Sequence, residues 1–212
     1  MSRAGDAFVW AFRDPEWLSK VALMGLTFLI PIIGAINGLG WMLETIDRIR
    51  AGDERLPPAN LDYIGRGFNL FVVDLVYYLA LAVVALVFYI PAIAVLSAEG
   101  QGQPNAALVV LGLLLLAGAV GVVTLGGLAL AFAMPAIVLA VDRGGISAGL
   151  QPRAIIARAQ RSPLNTLIAG LMLIAAGLLG QLGSVVCLVG VVFTSAYALT
   201  VQAWIIRSYE EE

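Results

Sequence analysis

The sequence contains no histidine and a single cysteine, Cys187, in 212 residues. Without histidine, Ser-His and Cys-His dyads, the usual zinc sites and the commonest haem ligand are all excluded. One cysteine rules out an intrachain disulfide and leaves the redox compartment open. Cys187 lies in an apolar run, where a thiolate is disfavoured, so it reads as inert packing. Charge is scarce as well: 12% of residues are charged and 61% hydrophobic. Soluble domains carry about 25% charged and roughly 45–50% apolar residues. A chain so poor in charge cannot wet a globular surface, which points to lipid as its solvent. A net charge of −2 gives no bulk attraction to nucleic acid. No catalytic, cofactor-binding or metal-ligating set is expected, and the chain does not read as an enzyme. A cleavable signal and a lipid anchor are not expected either. The first twenty residues mix acids and bases, and Ser2 stands where myristoylation needs glycine.

What is present is a series of apolar runs broken by short polar pieces. Residues 7–12 are aromatic-rich but too short to span, and suit the membrane interface. Asp14-Pro15-Glu16 reads as a helix start, with an acid at the N-cap and proline in the first turn. The apolar stretch 17–43 is interrupted at Pro31-Ile32-Ile33-Gly34. Residues 44–67 hold the densest charge and read as a loop facing water. A long run from Phe68 to Leu96 spans with tilt, followed by a polar turn over 97–105. Residues 106–141 read as one crossing, bent near Gly126-Gly127 or Met134-Pro135. Arginines recur through 144–161, where a helix starting near Pro152 would lie at the membrane surface. Ser162-Pro163 starts another helix, and the run to Ile206 holds two spans with a turn near Gly183-Ser184.

All twelve Lys and Arg residues fall in four places: before residue 21, in the 48–66 loop, in 143–161, and at Arg207. A hairpin bent at Pro31 puts them all on one side, whereas a single crossing would split them. The positive-inside rule favours the hairpin, with both termini cytoplasmic. Its arms are short, so it either spans or re-enters. The expectation is an all-α polytopic transmembrane bundle forming one membrane domain over 1–212. Its parts are an N-terminal hairpin (15–50), a span (68–97), a long bent span (105–141), an amphipathic segment (144–161) and a C-terminal hairpin (163–207). A multi-pass protein of the inner, cytoplasmic membrane is implied.

Several motifs together carry a family resemblance. Phe12-Arg-Asp-Pro-Glu-Trp17, Ile30-Pro-Ile-Ile-Gly34, Leu56-Pro57 and Gly67-Phe68 come in order. Met134-Pro-Ala136, Asp142-Arg-Gly-Gly-Ile-Ser-Ala148 and Arg161-Ser-Pro163 follow. This order resembles a prokaryotic membrane family listed as domain of unknown function 4013, over nearly the whole chain. The resemblance implies a fold and a membrane location, and no activity. Pro152 departs from the family's longer charged helix by delaying its start.

Few residues invite a functional reading. Asp74 is the one acid well inside an apolar span, so it is either an intramembrane polar site or a packing hydrogen bond. Asn37 shares that reading and sits among Gly34 and Gly38, whose spacing suits close helix packing, as does that of Ala176 and Gly180. Arg153, Arg158 and Arg161 could hold anionic lipid headgroups or merely orient the chain. Trp17, Trp41 and Trp204 read as interfacial anchors. These features fit a non-catalytic accessory, scaffold or assembly subunit of a larger membrane complex, with membrane lipids and other membrane subunits as partners. A small transporter or channel with a polar site near Asp74 is the alternative.

Overall fold

The computed structural model describes residues 4–99, 105–186 and 188–211. Cys187 and the centre of the 97–105 turn lie outside the described residues. The described chain is all-α, with no strand. Its helices are α1 (Trp17–Thr27), α2 (Ile33–Arg50), α3 (Ile64–Glu99), α4 (Ala106–Gly149), α5 (Pro152–Arg161), α6 (Pro163–Leu182) and α7 (Leu188–Glu210). Among the described residues three helices, α3, α4 and α6, are long and apolar enough to cross a membrane. The sequence reading treats the chain as one membrane domain. The residues pack as two compact units: Met1–Val73 with Ala131–Glu212, and Asp74–Leu130.

The first unit is organised around α7, which packs on α1, α2 and α6. This explains its composition: Thr200, Ala196, Ala203 and Ile205 are fully buried among other helices rather than turned to lipid. α1 has 11 residues, about 16 Å, well short of a hydrocarbon core of about 30 Å. The chain then folds back, so that the Asn37 amide reaches Met24 and Gly38 lies under the Phe28 ring. Most backbone donors of the turn between α1 and α2 are met locally: the N–H groups of Phe28, Leu29, Ile30, Ile33 and Gly34 donate to carbonyls of the last turn of α1 or of the turn itself. Ile32 forms its apex at φ 66°, ψ −58°, with Ile33 N–H donating to Pro31 O at 2.7 Å. That is a classic γ-turn, which is strained for a β-branched residue. Leu29, Ile30, Ile32 and Ile33 are exposed at this tip. An apolar tip whose backbone donors are spent internally suits a non-aqueous surrounding.

Residues 51–63, expected as a loop facing water, instead form a strap across the hairpin. Leu56 is fully buried in a cluster with Trp10, Val21, Met24 and Trp41. The Trp41 Nε1–H donates to Pro57 O at 3.2 Å, and that of Trp10 to Thr200 O at 3.1 Å. Both indoles are therefore core anchors, contrary to the interfacial placing expected for Trp41 and for residues 7–12. A buried indole needs an acceptor, and loop and helix carbonyls supply it. Asp14 also differs from expectation. Glu16 is the N-cap of α1, and the Asp14 carboxylate accepts from Glu16 N–H, Leu56 N–H and Lys20 Nζ at 2.8–2.9 Å. Burial would raise its pKa, but the Lys20 contact and the two backbone donors outweigh that and hold it below the usual range.

α4 keeps helical φ and ψ through Gly126-Gly127 and past Pro135, so neither place is a break, and its one non-helical residue is Gly145. Gly145 adopts φ 67°, ψ −160°, a region that favours glycine. α5 starts at Pro152 and α6 at Pro163, both with proline in the first turn as expected. Ser162 occupies the N-cap of α6, yet its side chain makes no capping hydrogen bond.

The second unit is an antiparallel pair formed by the later part of α3 and the earlier part of α4. Leu96 meets Gly112, Phe88 meets Gly118 and Leu81 meets Gly126. It has no Lys or Arg, and its acids are Asp74 and Glu99. Its apolar side chains lie largely at its surface, with Leu125 at 70% and Val87 at 65% exposure.

Candidate functional site: an ionic node and an arginine cleft

Four helix ends of the first unit meet in a network of charge. The end of α2 brings Glu44, Asp47 and Arg50, the start of α3 brings Arg66, the end of α4 brings Asp142 and Arg143, and the end of α7 brings Arg207 and Glu210. Arg50 is the hub. Its Nη1 donates to Asp47 at 2.6 Å and to Asp142 at 2.7 Å, while Nε and Nη2 grip both oxygens of Glu210 at 2.8 and 2.9 Å. Arg66 takes the other Asp142 oxygen at 2.6 Å and pairs with Asp47 at 2.5 Å. Glu210 receives two further guanidiniums, Arg143 at 2.6 Å and Arg207 at 3.2 Å.

The electrostatics follow from these contacts. Burial alone would raise the Glu210 carboxyl, but hydrogen bonds from Arg50 and Arg143 override it and pull the pKa from 4.5 to about 2. The same contacts push the Arg50 guanidinium up against the opposing effect of burial. The acids of the node are thus matched by bidentate and shared guanidinium bonds.

Beside the node opens a cleft of about 400 Å³, lined by Arg143, Arg158, Arg161, Ser162, Tyr209 and Glu210. Arg158 and Arg161 make no hydrogen bond or ion pair with any described residue. Burial, then the neighbouring charge of Arg143, lower the Arg158 pKa, with Tyr209 and Glu210 opposing and Arg161 adding to the repulsion. The Thr166 hydroxyl donates to Ala159 O at 2.8 Å, so its 3.2 Å contact with the Tyr209 hydroxyl uses the tyrosine proton. The Ser162 hydroxyl has no such commitment. A model of one known family, described as a protein of unknown function (DUF4013), matches residues 23–201.

The chain belongs to that family.

No curated protein and no solved structure matches it. The family match takes in the hairpin from the second half of α1 onward, Arg50, Arg66, Asp142 and the arginines of α5, while Asp14 and Glu210 lie outside it. Family membership therefore supplies no chemistry, and the roles of these residues rest on geometry.

The residues singled out from the sequence fall as follows. Asn37 is fully buried in the first unit; its amide donates to Asn60 O at 2.8 Å and its oxygen accepts from Tyr63 N–H at 3.3 Å. It pins the strap to the hairpin. Asp74 is half-buried at the start of the second unit and makes no hydrogen bond with another described residue, so no neighbouring helix satisfies it there. A Cβ on Gly34 would fall 2.1 Å from Thr27 O, within its own turn, and one on Gly38 would meet the Phe28 ring. Ala176 is buried, and Gly180 faces Ser195 and Ala198 of α7. These four small residues thus serve packing inside the chain. Arg158 and Arg161 line the cleft, and Arg153 does not.

Sequence reading missed Arg143, Asp142 and Glu210 as members of one site. The one available signal was an acid-base pair, Asp142-Arg143, at the end of a long apolar run. A second feature was also missed. Gln181, Ser195 and Gln202 line a cavity of about 310 Å³ beside Phe28 and Leu39, and neither glutamine side chain has a hydrogen bond to a described residue.

Proposed function

We propose that this chain is a non-catalytic accessory or scaffold subunit of a larger complex in the inner, cytoplasmic membrane. The observation that carries the reading is how its polar groups are spent. Asp14, Asn37, Asp142 and Glu210 are all committed to internal partners. The second unit, by contrast, is an apolar helix pair with much of its side-chain surface exposed, no Lys or Arg, and Asp74 and Glu99 as its acids. In lipid, such helix pairs associate with other helices by close packing and a few hydrogen bonds. The partners are then other membrane-protein subunits, with lipid filling the remaining surface. Both termini, the 51–63 strap and α5 would lie on the cytoplasmic side, since every Lys and Arg falls in those parts or beside them. The α1–α2 hairpin would re-enter from that side rather than cross, because α1 is too short to span.

One observation favours a second reading, a small transporter: the glutamine-lined cavity between α2, α6 and α7 offers uncommitted amides in an apolar setting. Native electrophoresis of a digitonin extract, probed for this chain, separates the two. Migration as a discrete species larger than a homo-oligomer supports the accessory reading. Migration as monomer or homo-oligomer, with substrate uptake by the purified protein in proteoliposomes, supports transport.

A further inference from the structure

The cleft beside the ionic node presents more positive charge than the protein itself answers. Of its three guanidiniums, only Arg143 has a carboxylate, and that carboxylate, Glu210, is already held by Arg50 and Arg207. Arg158 is half-buried, and among the described residues neither it nor Arg161 has an acid within ion-pair reach. Gathering three guanidiniums around a half-enclosed space whose one lining carboxylate, Glu210, is shared with Arg50 and Arg207 costs free energy, which an anion bound between them would return. Ser162 lines the cleft where α6 begins, and its hydroxyl makes no capping hydrogen bond. Tyr209 contributes a wall rather than a donor, because its proton goes to Thr166.

We propose that this cleft binds a phosphate mono- or diester, with Arg158 and Arg161 as its principal ligands and Arg143 and Ser162 completing the set. Guanidiniums suit this group because their paired N–H bonds match two phosphate oxygens at once. A volume of about 400 Å³ admits the phosphate together with part of its substituent. The phosphate can come from an anionic lipid headgroup or from a soluble compound. Ile156 and Leu164, which are exposed at 53% and 66% beside the cleft residues in sequence, would meet acyl chains if it is a lipid. The site differs from the arginine surface read from sequence, since Arg153 is outside it and Arg143 is inside.

The test uses the full chain, purified and delipidated in detergent. Dioleoylphosphatidylglycerol and inorganic phosphate are titrated separately, with native mass spectrometry counting bound phosphatidylglycerol and calorimetry following phosphate. Arg158→Gln with Arg161→Gln should weaken binding roughly 30-fold, at about one tenfold step or somewhat less per lost arginine. Lysine at both positions should keep most of the affinity but less than arginine, and Arg153→Gln should leave it unchanged. Phosphatidylglycerol binding that the glutamine pair loses, without phosphate binding, identifies a lipid headgroup; phosphate binding lost in the glutamine pair identifies a soluble ligand. Both outcomes support the site. Equal affinity of the parent and the glutamine pair for both probes, or an equal loss in Arg153→Gln, overturns it. Arg161→Glu, a single change at an exposed position, repeats the comparison should the double variant not fold.

Discussion

Replacing Arg50 by methionine tests the ionic node most severely. The side chain is three-quarters buried and donates to three carboxylates, two of which, on Asp142 and Glu210, are themselves at most 8% exposed. Removing one partner of a buried ionic cluster strands the others and costs about 3–5 kcal/mol. Asp142 keeps Arg66, and Glu210 keeps Arg143 and Arg207, so the lower end, about 3 kcal/mol, is expected here. Arg50→Lys should cost less, about 1–2 kcal/mol, because one ammonium cannot grip Glu210 bidentately while reaching Asp142. In a chain of this length about 3 kcal/mol corresponds to a fall of roughly 6–12 °C in the apparent unfolding midpoint. The assay is thermal unfolding in dodecyl maltoside, followed by size-exclusion recovery. A methionine variant within 2 °C of the parent (roughly 1 kcal/mol or less) would refute the view that the node holds the four helix ends together.

Three further outcomes follow from the same geometry. The Glu210 carboxyl titrates near 2 in the folded chain and 4.5 otherwise. Its contribution, roughly 3 kcal/mol, is present above pH 4.5 and lost as pH falls from there towards 2; Glu210→Gln should flatten that part of the pH–stability curve. Gly67→Ala places a Cβ 1.8 Å from the backbone oxygen of Ile36, so α2 and α3 must separate; detergent extracts should yield little monodisperse protein, whereas Gly65→Ala, in open space, should behave as the parent. Ile32→Gly relieves the positive φ at the hairpin apex and should raise the unfolding midpoint, by about 1 kcal/mol net, because relieved strain of about 1–3 kcal/mol exceeds the roughly 0.4–1 kcal/mol of freedom added to the unfolded chain.

Much of the helix plan was legible because proline and apolar length mark it directly. Pro152 and Pro163 start helices where their missing N–H is harmless, and Pro31 sits at the break between α1 and α2. Pro135 was not a break, since a long helix absorbs one lost donor, while the true interruption, Gly145, needed a positive φ that sequence does not announce. The polar sites were much less readable. Glu210 carried no signal in the sequence and Arg50 was one base among those of the 48–66 loop, yet they are bidentate partners 160 positions apart. Charges at helix ends carry the orientation signal and the ion-pair signal together, and sequence separates them only when helix ends are known to meet. Trp41 and Trp10 misled for a similar reason: an aromatic with a polar tip suits a membrane interface or a core with a spare carbonyl, and here carbonyls of Pro57 and Thr200 decided it. Asn37 was placed on a small-residue face, but its partners come from a strap that composition made look like open loop.

The central claim, that the chain works by contact through its apolar helix pair, is tested most directly by cross-linking in living cells. A photoreactive phenylalanine is placed in turn at Val87, Leu114 and Leu125, all more than 60% exposed in the second unit. The account predicts a discrete adduct with another membrane protein from at least one position, unaffected by excess of the unlabelled chain. Adducts with lipid alone from all three positions would contradict it.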